Sequence, residues 1–218
     1  MKLAIFDVDG TISDSQAHIL AAMTEAFGTL GLPLPPRGDV LSIVGLSLPV
    51  AMAELAPATD AATQAALVAA YKSSYFTTRA AAPAPLYPGA KECLLRLAGR
   101  EDLLLAIATG KSRRGVNALI AHHGLEGLFT SAQVADDHPS KPHPAMVLAA
   151  LRVAGVEAKD AVMIGDTTFD IEMGRAAGVA TIGVSWGYHP VSDLEQAGAG
   201  RIVESFSELE RALQEGFA

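Results

Sequence analysis

An α/β architecture is predicted, with one parallel sheet flanked by helices and a helical block inserted after the first strand, and three features of the sequence carry that prediction. Short apolar runs alternate with segments of helical spacing over most of the chain. Each run ends in a polar or glycine-containing turn. One stretch, residues 15–82, breaks the alternation and reads as helix alone.

In chain order, residues 3–6 (LAIF) form the first strand. The insert follows. A helix over residues 18–30 places Ile19, Met23, Phe27 and Leu30 on one stripe, a proline-rich loop occupies 32–36, and Ser47 is positioned to cap a helix running to residue 55. A longer helix covers 60–79, and the exit through 80–89, rich in alanine and proline, has the composition of a stiff linker. Beyond it come a helix over 90–99, a strand over 103–108, a helix over 112–123, a faint strand at 133–134 and a helix over 144–154. A strand over 161–164, a helix over 168–177 and a strand over 179–184 complete the alternation. Strands that are apolar throughout are buried on both faces, which in such a chain means a parallel sheet covered by helices. The expected division is a core of residues 1–14 and 83–218 and a cap of residues 15–82.

Composition narrows the function. The 218 residues are half hydrophobic and 18% charged, with a formal charge of −8, so the chain is globular and ill suited to a nucleic-acid backbone. One cysteine, Cys93, excludes an internal disulfide and falls on an apolar helix stripe, where a buried, inert thiol is expected. No apolar stretch is long enough to span a membrane, and the residues before Asp7 are too few for a signal-peptide core, so a cytoplasmic protein is expected. Nothing in the sequence marks an interface, leaving monomer or homodimer open.

In open parallel sheets ligands bind beyond the carboxyl ends of the strands. There the sequence places Asp7 and Asp9, then Thr109, Gly110 and Lys111, then Asp166 and Asp170, while Lys141 sits at a loop-to-helix junction. Taken singly, each has an ordinary explanation: an Asp pair suits a turn or helix cap, and a lysine suits the surface. Together, clustered carboxylates point to a hard divalent cation, with a lysine, a hydroxyl and backbone N–H groups for an anionic substrate. A carboxylate nucleophile would divide phosphoryl transfer into two steps. His138, His143 and His189 fall in no zinc spacing. Asp14, where the chain leaves the first strand's loop, is expected to cap a helix.

Four segments in order, Asp7-Val8-Asp9-Gly10-Thr11, Ala108-Thr109-Gly110-Lys111, Lys141-Pro142-His143-Pro144 and Gly165-Asp166-Thr167-Thr168-Phe169-Asp170, resemble the motifs of the haloacid dehalogenase superfamily of hydrolases, in its phosphoglycolate-phosphatase-like branch. The resemblance covers nearly the whole chain, including the position of the helical cap. It implies a Rossmann-like core, Mg²⁺ as cofactor and a small phosphorylated metabolite as substrate. It further implies that Asp7 is the nucleophile and Asp9 the acid and then the base. Thr109 and the Gly110 amide would hold phosphoryl oxygens, and Lys141 would offset charge on nucleophile and phosphoryl group. Mg²⁺ would be held by the Asp7 carboxylate, the Asp9 carbonyl and Asp166, with Asp170 orienting Lys141 or a metal-bound water. Because the family's dehalogenases lack an acid two residues after the nucleophile, Asp9 favours phosphate-ester hydrolysis.

The substrate itself is expected to be phosphoglycolate-like. Gly45, in the segment 44–47 that resembles the family's specificity loop, and Arg113 are candidate substrate contacts; Arg113 and Arg114 equally suit an exposed first helical turn. His18 fits either the cleft or a solvated helix face, and Trp186 with Tyr188 either the site or the core. A β-phosphoglucomutase-type phosphomutase or a pyrophosphatase would share these motifs. A phospho-accepting signalling module would share the acids, hydroxyl and lysine, but the cap and the GDxxxD segment argue against it.

Overall fold

The structure, a computed structural model, describes residues 1–81 and 83–216, with backbone alone for 78–81. Six parallel strands, β1 (Lys2–Phe6), β2 (Leu103–Thr109), β3 (Ser131–Val134), β4 (Ala161–Gly165), β5 (Ala180–Val184) and β6 (Arg201–Val203), form one sheet in the order β3-β2-β1-β4-β5-β6. The first strand is central, and successive strands diverge to either side of it, which opens a crevice at the carboxyl edge beside β1.

Both sheet faces are apolar, as strands buried on two sides require. Ala4 and Phe6 of β1 pack on one face with Leu105 and Ile107 against α5 (Ala90–Ala98) and α10 (Phe206–Glu215). Leu3 and Ile5 pack on the other with Ala106 and Met163 against α7 (Ala145–Ala154) and α8 (Thr168–Ala176). The Cys93 thiol is buried in the first of these layers and donates weakly to the Phe206 carbonyl at 3.6 Å.

Between β1 and β2 lie α1 (Gln16–Thr29), α2 (Arg37–Ser42), α3 (Leu48–Leu55) and α4 (Ala61–Ala81). They bury a separate core around Ile19, Met23, Phe27, Met52 and Leu67. Local signals start several helices. The Asp60 carboxylate accepts from Thr63 N at 2.8 Å at the head of α4, and Ser112 Oγ accepts from Gly115 N at 3.2 Å at the head of α6 (Arg113–His123), which ends on left-handed Gly124. Among the described residues no helix is long and apolar enough to cross a membrane.

Four expectations need correction. The faint strand is a full member of the sheet, starting at Ser131. The elements α2, α9 (Val191–Gln196), β6 and α10 were not expected. Asp14 is not the cap of α1: that position is Ser15, and Asp14 only accepts a long 3.4 Å bond from Gln16 N. The expected linker begins inside α4, which runs to Ala81; Ala82, the expected end of the insert, lies outside the described residues.

Candidate active site

The register of the sheet assembles the site. Phe6 pairs with Ile107 on one side and Ile164 on the other, so Asp7 leaves the sheet at nearly the same level as Thr109 and Asp166. Asp7 is held there by its own backbone, whose N–H donates to the Ile164 carbonyl at 2.9 Å.

Lys141 enters beneath them. It is only 2% exposed, and its ammonium donates to Asp7 Oδ1 and to Asp170 Oδ1, each at 2.6 Å. A buried lysine is tolerable only with such partners. Desolvation lowers its affinity for a proton, but Asp170 and Asp7 outweigh that and hold its pKa above the ordinary lysine value. Asp170 in turn is fixed by the capping box of α8, its Oδ2 accepting from Thr167 N at 3.1 Å and Thr167 Oγ1 at 2.7 Å. Asp170 is therefore not an exposed acid of the first helical turn but fully buried.

Asp166 is pinned from two directions. Its Oδ1 accepts from Thr11 Oγ1 at 2.9 Å and its Oδ2 from Tyr188 N at 2.8 Å. A Cβ at Gly10 or at Gly187 would run into this carboxylate, and Gly10 also adopts φ +90°, so both glycines are required by the close approach.

The balance of charge is the telling feature. Asp7, Asp166 and Asp170 bring carboxylate oxygens within 4.8 Å of one another, and Lys141 is the ammonium that contacts two of them. Burial pushes Asp7 up to about 7 despite Lys141, and burial with the charges of Asp170 and Asp7 raises Asp166 well above the usual carboxylate range. Asp7 Oδ2 is buried without a hydrogen-bond partner. An all-oxygen cluster with surplus negative charge and one open ligand atom fits a hard divalent cation.

Asp9 points elsewhere. Lys111 Nζ donates to its two carboxylate oxygens at 2.6 and 2.8 Å, and Ser15 Oγ donates to Oδ1 at 2.6 Å. Lys111 also donates to Tyr75 Oη of α4 at 3.0 Å, so one ammonium joins the acid of the core to the inserted helices. Thr109 is buried and accepts from Lys111 N at 3.2 Å. Gly110 has no room for a Cβ, because the Gly45 and Leu46 carbonyls lie directly over it. Gly45 thus borders the cleft.

Arg113 does not come to the cleft. Its guanidinium donates to Asp137 Oδ2 at 2.5 Å and to the Ala132 carbonyl at 2.6 Å, anchoring α6 to β3. Arg114, the next residue, lines the cleft and lies 3.6 Å from the Phe76 ring centroid. His18 sits beside Tyr75, ring centroids 6.4 Å apart. Trp186 packs with Phe206 and Tyr87 and donates from Nε1 to the Thr11 carbonyl at 3.0 Å, so it supports the loop and lies outside the cleft.

Several residues that shape the site were given no role by the sequence. Lys111 was legible by the same rule that found Thr109, lying two residues beyond it at the same edge. Tyr188, which the sequence left open between site and core, comes to the site through its N–H to Asp166, while Thr11, Ser15 and Tyr75 have no such signal. Neither has His189, which ties the core to the insert: Nδ1 accepts from Thr168 N at 3.2 Å, leaving Nε2–H to donate to the Ser42 carbonyl at 3.0 Å. Ser47 N likewise donates across to Ser140 Oγ at 2.8 Å, beside Lys141. Between these contacts a cleft of about 470 Å³ opens, with Asp7, Asp9, Thr109 and Gly110 on its floor.

Comparison with known proteins gives a consistent picture. The family model for haloacid dehalogenase-like hydrolases matches residues 4–184. A protein of Dickeya dadantii named "Probable phosphatase IndB" is 37% identical over 212 residues, covering 95% of this chain and 91% of its own. A phosphoglycolate phosphatase of Haemophilus influenzae is 28% identical over 219 residues, covering 95% and 96%. Among solved structures, a hydrolase from Pseudomonas syringae matches with a TM-score of 0.87 at 25% identity over 99% of both chains.

Proposed function

The chain belongs to the haloacid dehalogenase-like hydrolases, and from that premise we propose that it is a divalent-metal-dependent phosphatase acting on a small phosphomonoester through an aspartyl-phosphate. The observation that carries this reading is the buried Asp7–Lys141–Asp170 chain with Asp166 beside it and one Asp7 oxygen unengaged. The names of the relatives agree with it.

Asp7, Asp166 and the backbone of Asp9 would hold the cation, with Mg²⁺ the ion this oxygen set suits best. When bound, it would neutralise the surplus negative charge and draw a phosphoryl oxygen toward Asp7. Lys141 orients Asp7 and favours its ionised form. In the first step an Asp7 oxygen attacks phosphorus, the ester P–O bond breaks, and the leaving oxygen takes a proton from Asp9. In the second, Asp9 takes a proton from water, the resulting hydroxide attacks phosphorus, and inorganic phosphate leaves with the Asp7 carboxylate restored. The Thr109 hydroxyl and Gly110 N–H hold the phosphoryl oxygens.

Lys111 imposes a condition on this sequence. It occupies both Asp9 oxygens, so Asp9 can deliver a proton only once the anionic phosphoryl group has drawn the ammonium away. A screen of phosphomonoesters and pyrophosphate, with and without Mg²⁺, on wild type and Asp7→Asn tests the reading. Metal-dependent phosphate release lost in the variant is expected. Activity that survives Asp7→Asn, or none on any compound, overturns it. Isomerisation of a sugar phosphate without phosphate release would point to a phosphomutase.

A further inference from the structure

The floor of the cleft is spoken for by the phosphoryl group, whereas the roof is of a different kind and much larger than a two-carbon leaving group needs. Even at ~30 Å³ per heavy atom, phosphoglycolate would fill little more than half of the space, and about 470 Å³ falls in the range that holds ligands several times its size. The surplus space is bounded by Ile19 and Met23 of α1, Val44, Leu48, and Tyr71 and Phe76 of α4.

The cations at that end are largely engaged already. Lys111 is held by Asp9 and Tyr75 and the Arg114 guanidinium lies over the Phe76 ring, while Lys72 is exposed at the rim. Phe76 is 42% exposed, an unusual state for a large apolar side chain facing a cleft. An aromatic ring backed by a guanidinium is a platform for another planar group.

We propose that the substrate's leaving group is a ring-bearing alcohol, received between the Phe76–Arg114 pair and the apolar wall of α1, in place of a two-carbon acid. This inference rests on the phosphatase reading above. It makes Phe76 a specificity-determining residue, supplied by the insert, for chemistry performed in the core.

The test compares benzyl phosphate, ethyl phosphate and phosphoglycolate as substrates of the Mg²⁺-loaded full-length protein. The first two are both esters of primary alcohols and differ chiefly in the ring. The expected result is a kcat/KM for benzyl phosphate at least about tenfold above the other two, the scale on which apolar pockets discriminate. Phe76→Ala should collapse the benzyl-to-ethyl ratio, mainly through KM for the benzyl ester, and Phe76→Tyr should keep it. Because the ratio is taken within one protein, a loss of fold affects both substrates alike. Ethyl phosphate or phosphoglycolate turned over as well as benzyl phosphate, or a ratio unmoved by Phe76→Ala, overturns the inference while leaving the phosphatase reading intact. No turnover of any of the three overturns the inference, and the phosphatase reading falls with it only if the wider phosphomonoester screen is also blank.

Discussion

At and beneath the floor of the cleft, Asp7, Lys141, Asp166 and Asp170 are each at most 2% exposed, and all but one of their side-chain polar atoms have a partner. On the roof, Tyr71 and Tyr75 stack with centroids 5.6 Å apart, Phe76 is 42% exposed, and the lining is mostly aliphatic. The floor comes from loops fixed by sheet register, where a shift of one residue would scatter the acids. The roof comes from helices packed on their own small core, where side chains can change without moving a backbone. Rigid geometry for charge-handling and tolerant packing for selection are what a hydrolase needs if one chemistry is to serve different leaving groups.

The sharpest way to break the floor is Lys141→Ala. It strips two buried carboxylates of their ammonium, and breaking a buried pair in this way costs about 3–5 kcal/mol. A matching loss in urea denaturation is expected, together with a fall of about a thousandfold or more in turnover. Retained stability would show that the acids tolerate one another without it.

The metal sharpens the same point through pH. The folded-state pKa of Asp7 is raised to about 7 from an ordinary value of 3.8. Without metal, this group therefore favours the fold below about pH 4 and progressively disfavours it as pH rises through 7. A divalent cation binds the deprotonated acids and reverses that penalty. The rise in melting temperature on adding Mg²⁺ should accordingly be small at pH 5 and larger at pH 8, by differential scanning calorimetry. A shift independent of pH would contradict the assignment of Asp7 and Asp166 as ligands.

Two smaller tests address how roof meets floor. At Gly110 an added Cβ would strike the Gly45 and Leu46 carbonyls, so Gly110→Ala should hold the loop off the core. A displacement of about 1 Å can cost about 10²-fold in rate, and steady-state kinetics on the best substrate should show it. A variant as active as wild type would mean that the loop need not close. Tyr75→Phe removes the bond from Lys111 to the insert, worth about 1 kcal/mol. A rise of a few-fold in KM with kcat nearly unchanged is expected, and a collapse of kcat would instead place the phenol in the chemistry.

Much of the floor was legible in the sequence because it is built from local rules. Apolar runs marked β1, β2, β4 and β5, and the residue types just beyond them marked Asp7, Thr109 and Asp166. Asp9 and Asp170 followed from motif spacing. The roof was less legible because it depends on which helices meet. That Arg113 turns to Asp137 and Arg114 to Phe76 is decided by the angle of α6, one residue's rotation apart, and no spacing encodes it. The end of the sheet was missed for another reason. β6 has three residues, too few for a period to show, whereas α10 does carry an apolar stripe at Phe206, Leu209, Ala212 and Leu213 behind its Ser205 cap.

The central claim is that Asp7 carries the phosphoryl group while Asp9 moves the proton. It is tested most directly by acid-quenching the Asp9→Asn protein after mixing with Mg²⁺ and an aryl phosphate, whose leaving group needs no acid, and mapping the label by mass spectrometry. One phosphoryl group on Asp7, absent from Asp7→Asn, is the predicted result. A label on Thr109 or Thr11, or continued turnover in Asp7→Asn, would contradict it.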